Sequence, residues 1–257
     1  MEAYTGFAEV YDLFMDNVPY EKWCENIVDI LKSNGIEDGL VLELGCGTGK
    51  MTRLLSEAGY DMIGVDISEE MLAIAQEQNT DGKILYLNQD MREFELYGTV
   101  RAVVCVCDSI NYILEDSDME AVFKLVNNYL DPGGLFVFDI NTVYKYEKLL
   151  GDTTICENRP IGSFIWENFY DETEHINEYD LTIYVKGEDE LYERFEEVHY
   201  QRAYYIEELK KLITDSGMTY LNAFPVDMGE GIPGKGEDQN IEESCEKIYI
   251  TAREKGK

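Results

Sequence analysis

Basic side chains are scarce in this chain, and their scarcity limits the partners it can have. The 257 residues include 21 lysines and arginines against 53 aspartates and glutamates, a formal net charge of −32 at pH 7. A nucleic-acid enzyme normally presents a basic track to phosphates, and the sequence has no Lys/Arg cluster for one, so DNA and RNA substrates are disfavoured. Most of the acids are expected to form a solvated face, which a saline or acid-rich cellular habit would explain.

Signals for membranes, export and metal binding are also missing from the sequence. No apolar run approaches the roughly 20 residues that a bilayer span requires, and the amino-terminal residues lack the basic patch and apolar segment of a signal peptide. The two histidines, His175 and His199, have no metal-ligand spacing, and the six cysteines form no C-x-x-C pair. We expect a cytoplasmic protein with no membrane contact, no metal, and reduced, mostly buried cysteines.

The apolar segments alternate in the order that a doubly wound α/β fold requires. With 45% hydrophobic residues, the chain can bury one large core with a small appendage. Strands are predicted at 40–45, 61–66, 83–88, 102–107, 135–140, 219–226 and 246–252, and helices at 20–33, 48–59, 69–78, 117–130 and 205–217. The helix at 117–130 is predicted to end at the proline and glycines of residues 131–134.

Residues 152–202 interrupt this alternation between the fifth strand and the last helix. Aromatic and β-branched residues alternate with polar ones over 163–171, 176–186 and 191–204, which predicts a three-stranded antiparallel meander. The insertion leaves the sheet at the carboxyl end of strand five, where ligands of doubly wound sheets bind, so we expect a lid. The domain prediction is a core of 1–151 and 203–257 with a lid of 152–202. The alternative is that its aromatic faces form a homodimer interface through Phe164, Trp166, Tyr170, Tyr184 and Phe195.

The most informative motif is an apolar strand that ends in alternating glycines, Gly45, Gly47 and Gly49. Glycine has no Cβ, so the backbone can turn sharply and a ligand can lie almost against the main chain. A dinucleotide-binding G-x-G-x-x-G loop needs a further glycine where Lys50 stands, which disfavours NAD. The pattern is G-x-G-x-G, with Glu43 before its first glycine.

A second strand ends in an acid, Asp66. It follows Gly49 at close to the roughly 20-residue separation at which such an acid reaches the ribose hydroxyls of a bound nucleoside. The alternative is that Asp66 caps the helix that opens near Ser68.

Together these segments resemble the class I S-adenosylmethionine-dependent methyltransferases, and the likeness extends over most of the chain. It also rests on residues 88–91 after strand three, 104–112 around the end of strand four, and the turn at 131–134. The layout is closest to small-molecule N-methyltransferases, including those acting on amino sugars and glycine, which share a Tyr-Asp segment such as Tyr11-Asp12 and a meander lid. The resemblance implies a Rossmann-like seven-stranded sheet, mostly parallel with the last strand antiparallel, and S-adenosylmethionine as cofactor.

The resemblance also implies roles for individual residues. The glycine loop would hold the methionine and ribose portions, Asp66 the ribose diol, and Asp90 the adenine amino group while Ile67 packs on the ring. The residues expected to bind cofactor are Tyr20, Glu43, Gly45, Cys46, Gly47, Gly49, Asp66, Ile67, Asp90, Met91 and Cys107. Those expected to be catalytic are Tyr11, Tyr112 and Asp108. Asp90 could instead be a turn residue, and the tyrosines packing residues, in a chain with 19 tyrosines.

Few residue types are needed for methyl transfer, because the sulfonium carbon is already activated. The protein mainly aligns the incoming lone pair and excludes water, and a strong base is optional. If the acceptor is a small-molecule amine, a tyrosine or Asp108 could take its proton. The alternative is a catalytically idle domain that binds the nucleoside as a sensor or partner module.

Overall fold

The computed structural model describes residues 14–15, 18–187, 190–226 and 241–257. The helices are α1 Tyr20–Ser33, α2 Lys50–Glu57, α3 Glu69–Gln78, α4 Asp116–Tyr129 and α5 Ile206–Asp215. The strands are β1 Leu40–Leu44, β2 Asp61–Asp66, β3 Leu85–Asn88, β4 Val100–Cys105, β5 Leu130–Asn141, β6 Thr154–Arg159, β7 Gly162–Asp171, β8 Ile176–Lys186, β9 Tyr192–Arg202, β10 Met218–Pro225 and β11 Lys247–Glu254. Tyr11, one of the residues predicted to be catalytic, lies outside the described ranges.

Seven strands form the central sheet in the order β10-β11-β5-β4-β1-β2-β3. β1 pairs in parallel with β2 and β4, whereas β11 runs antiparallel to both of its neighbours, β5 and β10. The predicted Rossmann-like sheet with an antiparallel last strand is therefore confirmed. Among the described residues, none of the helices is both long and apolar enough to cross a membrane.

Both faces of the central sheet are covered, because side chains of a strand alternate between the two faces. On β4, Val103 and Cys105 pack with the apolar sides of α4 and α5, while Ala102 and Val104 pack with α1 and α2. The continuous apolar runs of β4 and β5 thus follow from burial on both sides. The carboxyl ends of β1, β2 and β4 meet at one edge of the sheet.

β5 is longer than the sequence predicts. It begins at Leu130 and includes the Asp131–Gly134 segment, for which the sequence predicts a turn. Leu130 pairs with Val100, and an irregularity between Val100 and Ala102 lets the ladder resume at Leu135. The proline and glycines therefore end the helix, as predicted, but they lie within an irregular start of the strand.

The insertion after β5 is a second sheet of four antiparallel strands, β6-β7-β8-β9. The prediction of three strands missed β6, which pairs with β7 from Thr154 to Arg159. β6 is a short edge strand whose side chains are mostly exposed, so it carries little of the apolar alternation that reveals a half-buried strand. Of the aromatic residues proposed for a dimer interface, Phe164, Trp166, Tyr170 and Phe195 pack in clusters with residues such as Phe14 and Tyr146.

Candidate active site

A cavity of about 710 Å³ opens at the carboxyl edge of the central sheet. This volume lies in the range of small-molecule sites. Ten of the eleven residues predicted to bind cofactor line it: Tyr20, Glu43, Gly45, Cys46, Gly47, Asp66, Ile67, Asp90, Met91 and Cys107. Tyr112 lines it as well, whereas Gly49 and Asp108 are not among its lining residues. The topology thus brings together segments far apart in sequence.

The three glycines of the loop after β1 have positive φ angles of 69°, 52° and 73° at Gly45, Gly47 and Gly49. A Cβ on Gly45 would lie 2.5 Å from the Ser109 Oγ, and one on Gly49 would collide with the hydroxyl of Tyr86. A Cβ on Gly47 would meet no atom within 4 Å. Gly45 and Gly49 are therefore required by packing, and Gly47 leaves the backbone open to the cavity.

Asp66 holds the glycine loop and the start of α3 together. Its carboxylate accepts hydrogen bonds from the Gly47 amide at 2.7 Å and the Ser68 amide at 2.9 Å. Ser68 caps α3 itself, because its Oγ accepts from the Met71 amide at 3.2 Å. Burial raises the pKa of Asp66, and the two backbone hydrogen bonds counteract part of that rise. Asp66 supports the helix start and also lines the cavity, so its two sequence interpretations are compatible.

Glu43 is a buried carboxyl group at the cavity. It lies on β1, is 2% exposed, and accepts a hydrogen bond from the Thr52 hydroxyl of α2. Burial raises its pKa to about 8, although the bond from Thr52 favours the ionised form. Glu43 therefore carries a proton for most of the time at neutral pH. A cation placed in the cavity beside it would favour ionisation.

Asp90 is bound by an arginine that no sequence motif singles out. Arg92 Nε lies 3.0 Å from each oxygen of Asp90, and Arg92 Nη1 lies 3.0 Å from an oxygen of Asp118 on α4. Burial alone would raise the pKa of Asp90, but the hydrogen bonds and charge of Arg92 lower it. The Asp90 carboxylate is therefore ionised and fixed at the same end of the cavity as Ile67, whose side chain is 66% exposed.

The turn after β4 has a strained backbone, and a buried carboxylate stabilises it through hydrogen bonds. Cys107 and Asp108 have φ angles of 59° and 57°, a region that costs non-glycine residues about 1 kcal/mol or more each. The buried carboxylate of Asp139 accepts from both of their amides, at 2.9 and 2.7 Å. Asp139 was not predicted as a site residue, although an acid within the apolar run of strand five was a usable signal.

Asp108 is anchored through both of its oxygens. One lies 2.8 Å from the Nζ of Lys247, a buried lysine of β11, and the other accepts from Gln201 Nε2 of β9 at 2.8 Å. Burial opposes the charge of Asp108, but Lys247, Lys145 and the hydrogen bond from Gln201 together outweigh it and lower the pKa of this carboxyl. A carboxylate with a lowered pKa and two occupied oxygens is a poor proton acceptor. Its geometry suits an anchor for the second sheet.

Two buried amides join the sheets. Asn111 accepts from the Asn141 amide at 2.9 Å and donates to the carbonyls of Asn141 and Arg202 at 3.1 and 2.8 Å. The Gln201 Oε1 accepts from the hydroxyls of Tyr146 and Tyr179 at 2.7 and 2.6 Å. The sequence does not reveal these contacts, because a polar residue in a loop or a strand carries no mark of its partner.

The charge of the cavity lining is strongly negative. Besides the largely protonated Glu43, its acidic side chains are Asp66, Glu69, Glu70, Asp90, Glu115 and Asp118, and its basic side chains among the described residues are Lys50 and Arg92. Arg92 is bound by Asp90 and Asp118, and Lys50 Nζ lies 4.7 Å from the centre of the Tyr20 ring. Such a lining attracts a cation.

The sequence and the fold both match known methyltransferases. A family model described as a methyltransferase domain matches residues 41–134. A putative methyltransferase of Geobacillus sp. (strain WCH70) is 32% identical over 254 residues, which cover 98% of this chain and 99% of the relative. The crystal structure of an S-adenosylmethionine-dependent methyltransferase from Clostridium acetobutylicum ATCC 824 superposes with a TM-score of 0.83 at 28% identity, covering 99% of this chain and 100% of that one.

A more distant relative has a named substrate. The dTDP-3-amino-3,4,6-trideoxy-α-D-glucopyranose N,N-dimethyltransferase of Streptomyces venezuelae is 31% identical over 135 residues, 51% of this chain and 56% of the relative. The glycine loop, the acid ending β2, the strand order and the near full-length relative all agree. The chain therefore belongs to the class I S-adenosylmethionine-dependent methyltransferases.

Proposed function

We propose that this methyltransferase transfers the methyl group to the nitrogen of a small-molecule amine. The observation that carries the proposal is the acid-lined cavity, whose Tyr112 contacts the buried His199 of the second sheet. Such surroundings favour a cationic or strongly hydrogen-bonding acceptor of limited size. The amino-sugar dimethyltransferase relative supports the choice of nitrogen.

The cavity residues fit S-adenosylmethionine, and each would hold a different portion of it. The open backbone at Gly47 and the carboxylate of Asp66 would hold the methionine and ribose portions. Asp90 and Ile67 would hold the adenine at the far end of the cavity. Glu43 would meet the ammonium group, whose charge favours ionisation of a carboxyl with a raised pKa.

When bound, S-adenosylmethionine supplies a methyl carbon that the sulfonium charge has already activated. The chain's own residues then have to orient the acceptor and exclude water, which can account for large rate accelerations. Tyr112 lines the cavity, and we assign it the contact with the acceptor nitrogen. Asp108 keeps the turn and the second sheet in position.

We also propose that residues 152–202 are a lid over the acceptor side, separate from the core of 1–151 and 203–257. Support comes from β9, whose inward side chains contact Asp108 and Tyr112 directly. A lid of this kind would select a small acceptor and leave no track for a nucleic acid, in agreement with the net charge of −32.

The test is a methyl-transfer assay with S-adenosylmethionine carrying a labelled methyl group. The acceptors are matched panels of small amines, among them nucleotide-linked amino sugars, and the same compounds with hydroxyl in place of amine. We expect label only in amines, and mass spectrometry should show a gain of one CH₂ per transfer at nitrogen. Transfer to the hydroxyl panel, or to tRNA or DNA added as controls, would overturn the assignment.

A further inference from the structure

One strand of the second sheet carries a row of buried polar side chains. On β9, Glu197, His199 and Gln201 are 7%, 5% and 1% exposed, whereas Glu196 and Tyr200 on the same strand are not buried. Alternate residues of a strand share a face, so this row points to one side of the sheet. Burial of a polar side chain costs free energy unless the side chain has hydrogen-bond partners, so each of the three is expected to have a specific partner.

His199 lies between a carboxylate and the cavity. Its Nε2 is 3.0 Å from an oxygen of Glu197, and its Nδ1 is 3.5 Å from the hydroxyl of Tyr112. The rings of His199 and Tyr112 meet edge to face, with centroids 5.9 Å apart. Tyr179 is the cross-strand neighbour of His199 on β8. Tyr112 lines the cavity, so Tyr112, His199 and Glu197 form a line from the cavity into the second sheet.

The carboxylate determines which nitrogen of His199 carries the proton. A carboxylate is an acceptor, so Nε2–H donates to Glu197, and Nδ1 of a neutral imidazole is left as an acceptor for the Tyr112 hydroxyl. The 3.5 Å separation is long, but catalytic hydrogen bonds often shorten when substrate binds. Asp108 does not compete for this role, because Lys247 and Gln201 occupy its oxygens.

We propose that Tyr112, His199 and Glu197 form a proton relay, with Tyr112 as the catalytic residue and the other two as positioning residues. This inference rests on the proposed transfer to an amine. As the lone pair of the neutral amine forms the N–C bond and the C–S electrons leave with sulfur, the proton of the resulting ammonium passes to the Tyr112 oxygen. The phenolic proton moves to His199 Nδ1, giving an imidazolium that Glu197 stabilises and that later releases its proton to solvent.

The geometric part is tested by ¹⁵N NMR of the full-length protein labelled at histidine. The chain has two histidines, and His175→Asn assigns their signals. His175 is a matched control, since its Nδ1 lies 3.3 Å from the Tyr170 hydroxyl. We expect His199 to be protonated at Nε2, its Nδ1 shift to move in Tyr112→Phe, and its tautomer preference to weaken in Glu197→Gln. A proton on Nδ1, or an Nδ1 shift that ignores Tyr112→Phe, would overturn the relay.

The kinetic part uses an amine that the labelled-methyl panel identifies. His199→Asn and Tyr112→Phe should lower kcat about 100-fold, the range of general acid–base contributions. Their KM for S-adenosylmethionine and their affinity for S-adenosylhomocysteine should stay close to those of the parent, and His175→Asn should match the parent throughout. A second variant, His199→Gln, shows whether a loss of kcat in His199→Asn comes from a folding defect.

These readouts separate the relay from the function on which it rests. Unchanged kcat in His199→Asn and His199→Gln, with an amine still methylated, would overturn the relay alone. Methylation of the hydroxyl panel in place of the amines, with the NMR signature intact, would overturn the amine assignment and leave the arrangement of Tyr112, His199 and Glu197 standing.

Discussion

At the scale of single residues, Gly47 differs from the other glycines of its loop because its missing Cβ leaves space for a ligand and not for the protein. Gly47→Val would put methyl groups into the cavity, so the affinity for S-adenosylhomocysteine should fall more than tenfold, or about 1.4 kcal/mol. Isothermal titration calorimetry measures this affinity.

Gly82→Val provides the matched control for backbone strain. Gly82 has a φ of 66°, and a Cβ there would meet no atom within 4 Å, but it lies in an exposed loop away from the cavity. Both variants should lose a similar amount of thermal stability, and only Gly47→Val should lose affinity. Equal affinity losses would mean that strain, and not blocked space, is responsible.

Glu43 should make stability depend on pH in a predictable direction. Its folded pKa of about 8 lies above its ordinary value of 4.5, so the folded state binds the extra proton between these values. Stability is then fully present below pH 4.5 and is lost as the pH rises through about 8. Glu43→Gln removes the titration, so its melting temperature should rise relative to the parent between about pH 5 and pH 9.

The same change should also reveal the functional role of Glu43. A neutral amide cannot balance an ammonium group, so Glu43→Gln should bind S-adenosylmethionine less tightly even where it is the more stable protein. Glu77→Gln, a change on the exposed side of α3, is the control. A melting-temperature difference between parent and Glu43→Gln that does not vary with pH would contradict the raised pKa.

At the scale of elements, the two sheets have separable tasks. Replacing 152–202 by a short Gly/Ser linker should leave S-adenosylhomocysteine binding within about tenfold and abolish methyl transfer, because the cavity lining comes from the central sheet and its connections. Titration calorimetry and the labelled-methyl assay measure the two effects. Loss of binding in a folded variant, or full turnover, would count against the lid.

An exposed position on the second sheet distinguishes the lid from a dimer interface. Phe169 of β7 is 48% exposed and shares a face of the second sheet with Tyr184, opposite the face on which Phe164, Trp166 and Tyr170 pack. Phe169→Lys should leave methyl transfer unchanged, and light scattering shows whether it alters the oligomeric state. If a homodimer forms through this face, the charge should dissociate it.

The elements were largely predictable from the sequence, whereas several contacts of the site were not. Hydrophobic period and glycine spacing identified the central strands and the loop around Gly47, because both depend on neighbours in sequence. The contact between Lys247 and Asp108 joins residues 139 positions apart and leaves no local pattern. Arg92 and Gln201 were missed for the same reason, and β6 because an exposed edge strand lacks apolar alternation.

At the scale of the whole molecule, the net charge of −32 acts against the compact state. Salt shortens the screening length from about 10 Å at 0.1 M to about 3 Å at 1 M, so it should weaken repulsion between surface carboxylates. We therefore expect the melting temperature to rise steadily with NaCl over this range. Sucrose at matched osmolality is the control, and a melting temperature indifferent to NaCl would mean that the acids are already balanced locally.

The alternation of β9 limits how this sequence can drift. Losing or gaining a single residue ahead of Glu197 would leave a regular strand but present Glu196, Val198 and Tyr200 to the cavity side. Losing or gaining two would restore the original face. Length changes in this hairpin should therefore be accepted in pairs among active descendants, a parity rule that the chemistry of the buried row adds to the packing of Phe195 on the same face.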